Sequence, residues 1–423
     1  MRSATVFMLL VFWVSSPWAA NDGTYDYPFD DTFVATVVGT PSPFRAELPD
    51  KIPVKTDSLT IFEDREVPEI FWYTDEFKYS YAVQDGPAPL VFIIAGTGGS
   101  HAGSSTQMLA RAFYQAGFHI VALSSPTYEN FVVSASSTSI PGHAFGDAED
   151  LYRAMERIWG ELKGDTEVTG FYVTGYSLGG FNAAFVTWLD EQKQIFNFRK
   201  ALLINPPWRL YSSLSLLDRM IENIPGGVDN FPRFFQKLVR GLTEVYKKAD
   251  RVDLGEDALY AAYEALDLKD EQLAALIGVV FRIASSNMAF TSDVMTNFGY
   301  IKPKNLRLTK NTSLAKYNQV GVRLGFTDYF HDYFYPYYKA LDPSVTREQL
   351  IELMSLATIE EYLRENEKIE VMHNENDLIL APGEIDNFRR VFGARARIYP
   401  KGGHLGNMEF RDNIGRLISV LKQ

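Results

Sequence analysis

The stretch VTGYSLGGFN, residues 173–182, places a serine between glycines. A G-x-S-x-G pentapeptide is common by chance, so its surroundings carry the interpretation. The apolar run 168–174 before it has the character of a strand, and a helical pattern over 181–192 follows. At such a junction the glycines permit a sharp turn that lifts the central hydroxyl out of the sheet. This context predicts that Ser177 is a nucleophile rather than a small residue in a structural turn.

Apolar runs alternate with helical patterns on both sides of this stretch. The run LVFIIA, residues 90–95, is continuously apolar, which is typical of a strand buried on both faces. Strands are predicted over residues 58–63, 71–83, 90–95, 118–123, 168–174, 201–205, 369–373 and 396–399. Helices are predicted over residues 106–116, 144–162, 181–192 and 408–421. This alternation predicts an α/β fold built on a mostly parallel sheet with helices on both faces.

Between residues 208 and 366 helical periodicity replaces this alternation, and no buried strand is predicted there. Helices are predicted over residues 214–221, 234–246, 257–266, 273–284 and 347–363. We therefore predict four parts, which are an N-terminal signal segment (1–20), an irregular lead-in (21–57), an α/β core (58–207 and 367–423) and a helical cap inserted into the core (208–366).

A serine at its ordinary pKa needs a base, and the base needs an acid to orient it. Of the six histidines, His404 stands in the glycine-flanked loop KGGHLGN after the last predicted strand. The loop after strand 369–373 carries Glu375 and Asp377. We predict His404 as the base and Asp377 as the acid, with Glu375 as the reserve.

An acyl-transfer site also needs two backbone donors for the oxyanion. The N–H of Leu178 is one candidate, since it follows the serine at a helix start. The glycine-rich loop after residues 90–95 offers Thr97 or Gly98 as the second. No Gly-Lys-Ser/Thr follows that loop, so a nucleotide site is not expected.

Taken together, these segments resemble the α/β-hydrolases, in particular esterase-like and lipase-like serine hydrolases with a helical cap. The resemblance covers residues 89–205 and 367–423. It implies an eight-stranded, mostly parallel sheet, a Ser177–Asp377–His404 triad, and neither a metal nor a cofactor. One departure is that Ala95-Gly96 stands where many members have His-Gly.

The first twenty residues have the layout of a secretory signal peptide. Arg2 precedes the short apolar run 6–14, and Ala20 could end the segment. Trp18 is unusually bulky near a cleavage site, so an uncleaved anchor is the alternative. The expected location is periplasmic or secreted. The chain has no cysteine, which rules out disulfides and a thiol nucleophile, and export does not require either.

Charge and aromatic content bear on the partners. A net charge of −12 without a basic block argues against nucleic acid and against anionic membranes, unless the N-terminal segment is retained. The run YFHDYFYPYY, residues 329–338, could pack the cap against the core, or it could form an acyl or aromatic-ring pocket. A membrane-facing lid is a third alternative, which the acidic charge disfavours. We predict Tyr333 and Phe334 as substrate-binding residues for a small apolar or aromatic ester.

Three classes of function remain open from sequence. The first is an exported carboxylic-ester hydrolase working through an acyl-enzyme. The second uses the same triad as an amidase, a peptidase or an acyltransferase. The third is a catalytically silent binding module, which the complete set of Ser177, Asp377 and His404 disfavours.

Overall fold

The computed structural model describes residues 25–234, 236–237, 240 and 269–423. The predicted signal segment, residues 1–20, and the predicted helix 257–266 lie outside the described residues, as does most of the predicted helix 234–246.

Eight strands form a single sheet in the order β1-β2-β4-β3-β5-β6-β7-β8. Strand β2 runs antiparallel to β1 and β4, and every other neighbouring pair is parallel. Their bounds are β1 Lys55–Leu59, β2 Phe77–Ala82, β3 Ala88–Ile94, β4 His119–Leu123, β5 Val168–Tyr176, β6 Lys200–Ile204, β7 Ile369–Asn374 and β8 Ala396–Tyr399. The predicted mostly parallel, eight-stranded sheet is confirmed.

The central strands are apolar on both faces because each face has its own core. In β3, Phe92 and Ile94 point into one hydrophobic cluster, whereas Val91 and Ile93 point into another on the opposite side. Each cluster is closed by helices that pack on the sheet. The helices of the core are Ser104–Gln115, Glu129–Ser134, Ala144–Leu162, Leu178–Lys193, Glu384–Phe392 and Arg411–Leu421.

Between β6 and β7 the described residues form helices and turns, with one isolated bridge between Arg209 and Ser355. The α-helices there are Leu210–Arg219, Asp270–Thr296, Ala315–Gly321, Phe326–Tyr329, Tyr335–Leu341, Arg347–Leu353 and Glu360–Glu365. Helix Asp270–Thr296 is long and apolar enough to cross a membrane, but 61% of its most apolar window is buried inside the protein. It therefore packs as the interior helix of this region.

The edge of the sheet and the N-terminal lead-in differ from the sequence predictions. Strand β1 begins at Lys55 rather than at residue 58. Strand β2 begins at Phe77 rather than at residue 71, which ends a 3₁₀ turn, Glu69–Phe71. The lead-in is not wholly irregular, because helix Thr32–Val38 forms within it. That helix begins where the Asp31 side chain accepts the N–H of Val34 at 2.8 Å.

Candidate active site

Ser177 stands at a forced turn between β5 and the helix Leu178–Lys193. Its φ of 54° and ψ of −125° are rarely adopted by a residue with a side chain. Gly175 and Gly179 make the turn possible, because a Cβ on either would collide with neighbouring backbone atoms. The Ser177 N–H donates to Ile204 O at 2.8 Å, which ties the turn to β6. The hydroxyl is thereby presented beyond the carboxyl end of the sheet.

His404 lies between the serine and a carboxylate. Its Nε2 is 3.0 Å from Ser177 Oγ. Its Nδ1 is 3.0 Å and 3.1 Å from the two carboxylate oxygens of Asp377. With the Nδ1 proton held by Asp377, Nε2 is left as an acceptor for the serine proton. The three predicted residues, each after a different strand, therefore meet in one hydrogen-bonded chain.

Asp377 is held in its ionised form by several donors. Its side chain is fully buried, and burial alone would raise the pKa of the carboxyl. The neighbouring His404 and the N–H of Ile379, at 3.1 Å, outweigh burial and lower the pKa below its ordinary value. Asn205 adds a further hydrogen bond, since its Nδ2 donates to Asp377 Oδ2 at 2.8 Å. A charged Asp377 can orient His404 and stabilise its protonated form.

The reserve acid lies elsewhere. The Glu375 side chain is 45% exposed and pairs with Arg389 at the surface. His373 lies near Asp377, but both of its ring nitrogens bind backbone groups. Its Nε2 donates to Pro206 O, and its Nδ1 accepts from the N–H of Asn374. Burial lowers the pKa of His373, which keeps this imidazole neutral. Neither side chain takes part in the chain from Ser177 to Asp377.

The two loops that could hold an oxyanion face one cavity. Leu178 is the first residue of its helix, so its N–H has no acceptor within the helix. In the turn Gly96–Gly99, closed by a 2.9 Å bond from Gly99 N to Gly96 O, the N–H of Gly98 donates to Thr127 Oγ1. That bond occupies Gly98 and leaves Thr97 as the candidate second donor. Thr97 and Leu178 both line the cavity.

Three features identify the architecture. They are the strand order, the antiparallel pairing of β2 with both of its neighbours, and the strained serine after β5. The chain has the α/β-hydrolase fold. Within this fold the acid loop follows β7 and the base loop follows β8, which is the order in the sequence that the resemblance implied.

Several solved structures are similar to this chain at low identity. A hyperthermophilic esterase from the archaeon Pyrobaculum calidifontis has 16% identity and a TM-score of 0.42, over 88% of this chain and 86% of its own. A Pyrococcus furiosus esterase has 8% identity and a TM-score of 0.42, over 90% and 96%. A thioesterase domain from the curacin biosynthetic pathway has 11% identity and a TM-score of 0.39, over 88% and 100%. No protein-family model and no curated protein matches the chain.

The cavity beside the serine is apolar and narrow. Its empty volume is about 390 Å³. Two hydroxyls in its wall are engaged, since Thr127 Oγ1 accepts from Gly98 and the Tyr329 hydroxyl donates to Pro141 O. The lining residues are Thr97, Thr127, Pro141, Gly142, Leu178, Leu210, Leu214, Met288, Phe326, Tyr329, Phe330, Phe334 and Met354. A neutral hydrocarbon group fits such a wall, and a charged group does not.

The two aromatic residues predicted to bind substrate point in different directions. Phe334 lines the cavity. Tyr333 is fully buried away from it, with its hydroxyl donating to Ser292 O at 3.0 Å and contacting Thr296. The reason is a π-turn, Phe330–Phe334, in which the N–H of Tyr335 donates to Phe330 O, five residues back. The extra residue in this turn rotates Phe334 onto the cavity face, where α-helical spacing from Phe326 would have placed Tyr333. The structure thus gives Tyr333 a place in the packing of the cap.

Proposed function

We propose that the protein is an exported serine hydrolase that cleaves a carboxylic ester of a neutral, apolar acyl group. The observation that carries the proposal is the hydrogen-bonded chain from Ser177 through His404 to a buried Asp377, next to a cavity without charged side chains.

In the proposed reaction Ser177 Oγ attacks the ester carbonyl carbon while His404 Nε2 takes the serine proton. Charge then develops on the carbonyl oxygen, which the N–H groups of Leu178 and Thr97 would stabilise. His404 returns the proton to the leaving alcohol, and the acyl group stays on Ser177. Water, deprotonated by His404, then attacks the acyl carbonyl carbon. The bond from that carbon to Ser177 Oγ breaks, His404 returns the proton to Ser177 Oγ, and the carboxylic acid is released. Asp377 keeps its negative charge throughout and stabilises the imidazolium.

Labelling of the purified protein by a fluorophosphonate tests the nucleophile. We expect one adduct, located on Ser177 by peptide mass spectrometry. Ser177→Ala should abolish labelling and lower turnover of an activated ester at least ~1,000-fold, because the attacking oxygen is gone. Turnover retained by this variant would refute the assignment. A panel of matched ester, thioester and amide substrates, with and without alcohol acceptors, separates ester hydrolysis from amide cleavage and acyl transfer.

Export is a separate part of the proposal and rests on the sequence of residues 1–20. We expect the mature chain to begin at Asn21 and to appear in the periplasmic or secreted fraction. Intact-mass measurement decides this. A mature chain that begins at Met1 and sediments with membranes would show an uncleaved anchor instead.

A further inference from the structure

The loop that carries His404 has an unusual backbone. Gly402, Gly403 and Leu405 have φ values of 144°, 57° and 66°. A residue such as Leu405 persists in the left-handed region only where its surroundings over-determine the conformation. The position of the His404 imidazole therefore depends on what holds this loop, which we call the base loop (residues 400–407).

Much of that support comes from residues 25–40, which we call the N-terminal clamp. Thr36 Oγ1 accepts the backbone N–H of His404 at 2.9 Å and donates its own proton to Thr32 O at 2.6 Å. Thr40 Oγ1 donates to Gly406 O at 2.8 Å. Gly403 lies so close to the clamp that a Cβ would come within 2.5 Å of Thr32 O and of Thr36 Oγ1. The base loop is thus packed on the clamp without space between them.

The clamp also reaches the loop that carries the acid. Thr32 Oγ1 donates to Asn376 O at 2.5 Å, next to Asp377 in the chain. The side chain of Asn376 in turn accepts the N–H of Gly403 at 2.9 Å. The helix of the N-terminal clamp therefore contacts both the base loop, which carries His404, and the loop that carries Asp377.

We propose that Thr36 is a positioning residue for His404 and that the N-terminal clamp is part of the catalytic apparatus. This inference rests on the proposed function. Thr36 is the one clamp side chain that binds the backbone of the base itself, at the residue from which both imidazole hydrogen bonds extend. Because the rate of a positioned reaction falls steeply with small displacements, loss of this bond should be seen in turnover.

The test uses the whole protein and three variants. Thr36→Val replaces the hydroxyl by a methyl group of similar shape, and Thr36→Ser keeps the hydroxyl. Thr40→Val is the matched control, since it removes a clamp hydroxyl that binds Gly406 rather than His404. We expect Thr36→Val to lower kcat about 10- to 100-fold with KM within about twofold. Thr36→Ser should stay near wild type, and Thr40→Val should lose clearly less than Thr36→Val.

A double-mutant cycle separates positioning from general damage. In a His404→Ala background, Thr36→Val should change the residual kcat by less than about twofold, because the residue that it positions is absent. An equal loss in both backgrounds, or no loss in the wild-type background, would overturn the inference. Should Thr36→Val fail to fold, Thr36→Ala repeats the cycle, and failure of both would assign the clamp to folding alone. A wild-type protein inert to esters and to fluorophosphonate is a different result, which would overturn the proposed function and this inference with it.

Discussion

The α/β core and the helical region between β6 and β7 hold their candidate functional residues in different ways. In the core, Ser177, Asp377 and His404 are each fixed by directed hydrogen bonds at the end of a strand. In the helical region, the rings that line the cavity are held by one another, as in the stacked pair Phe330 and Phe334. Hydrogen bonds position the three side chains of the core, whereas packing positions the rings of the helical region.

This difference has a consequence for substitution. Under the proposed function, a single lost hydrogen bond in the core misplaces a reacting atom, and the expected effect on rate is large. A single lost ring in the helical region removes apolar contact, which is worth only a few kcal/mol and depends on whether the substrate reaches it. The two regions should therefore respond to mutation on different scales and through different kinetic constants.

Asp377→Asn tests the core side of this comparison and has the largest expected effect. The amide cannot stabilise the imidazolium and favours the wrong tautomer of His404, so kcat should fall on the order of 10⁴-fold. The measurement is steady-state hydrolysis of an activated ester. Glu375→Gln is the matched control, and we expect it to change kcat by less than about twofold because Glu375 pairs with Arg389 at the surface.

Stability at two pH values controls for damage to the fold. Because folding lowers the pKa of Asp377, its charge stabilises the folded state above the ordinary carboxyl pKa. That contribution is lost as the pH falls through the lowered value. Asp377→Asn should therefore cost more in Tm at pH 7 than in strong acid. A mild effect of Asp377→Asn on kcat together with a severe effect of Glu375→Gln would show that Glu375, and not Asp377, is the acid that orients His404.

The sheet was predictable where strands are buried on both faces. A continuous apolar run such as 90–95 is typical of a central strand, and β3 lies there within two residues. The edge was less predictable. Strand β1 exposes three of its five side chains, so it shows no alternation, and the turn at Glu69–Phe71 follows Pro68, which favours a turn over strand.

Some residues of the candidate site could be predicted from the sequence, and others could not. Ser177 and His404 stand in glycine-flanked motifs, so their chemistry is visible in a few adjacent residues. Asn205 and Thr36 were missed, because each acts across the fold on a residue more than 170 positions away. The available signal at Asn205 was weak: an asparagine directly after a strand, a residue type that tolerates its φ of 45°.

For the aromatic residues of the helical region, the sequence does not reveal which side chains face the cavity. A run of seven aromatic residues in ten, 329–338, indicates apolar contact but does not say which rings face the substrate. The π-turn decides this, and an extra residue in one turn leaves no mark in the hydrophobic pattern. Tyr333 and Phe334 were therefore predicted together, although only Phe334 lines the cavity.

A substitution of Phe334 tests the helical region, and its expected effect is smaller than that of Asp377→Asn. Phe334→Ala removes a ring from the cavity wall and should raise KM roughly 10- to 150-fold for esters with long or aromatic acyl groups, since a buried ring contributes roughly 1.5–3 kcal/mol when the substrate contacts it. Acetyl esters should change much less, because they do not reach the ring. The measurement is KM and kcat across a series of acyl lengths with one leaving group.

Tyr333→Phe is the matched control from the other face of the same turn. It keeps the ring and removes the hydroxyl that binds Ser292 O, at a cost of about 1 kcal/mol in stability, so Tm should fall while the chain-length preference stays unchanged. Phe334→Ala also leaves a gap beside Phe330 and Tyr338, and its own Tm loss must be measured in parallel. The result that separates binding from packing is therefore the dependence on acyl length. If Phe334→Ala lowers kcat/KM equally for acetyl and long-chain esters, Phe334 holds the fold of the cap as Tyr333 does, and the acyl group binds elsewhere.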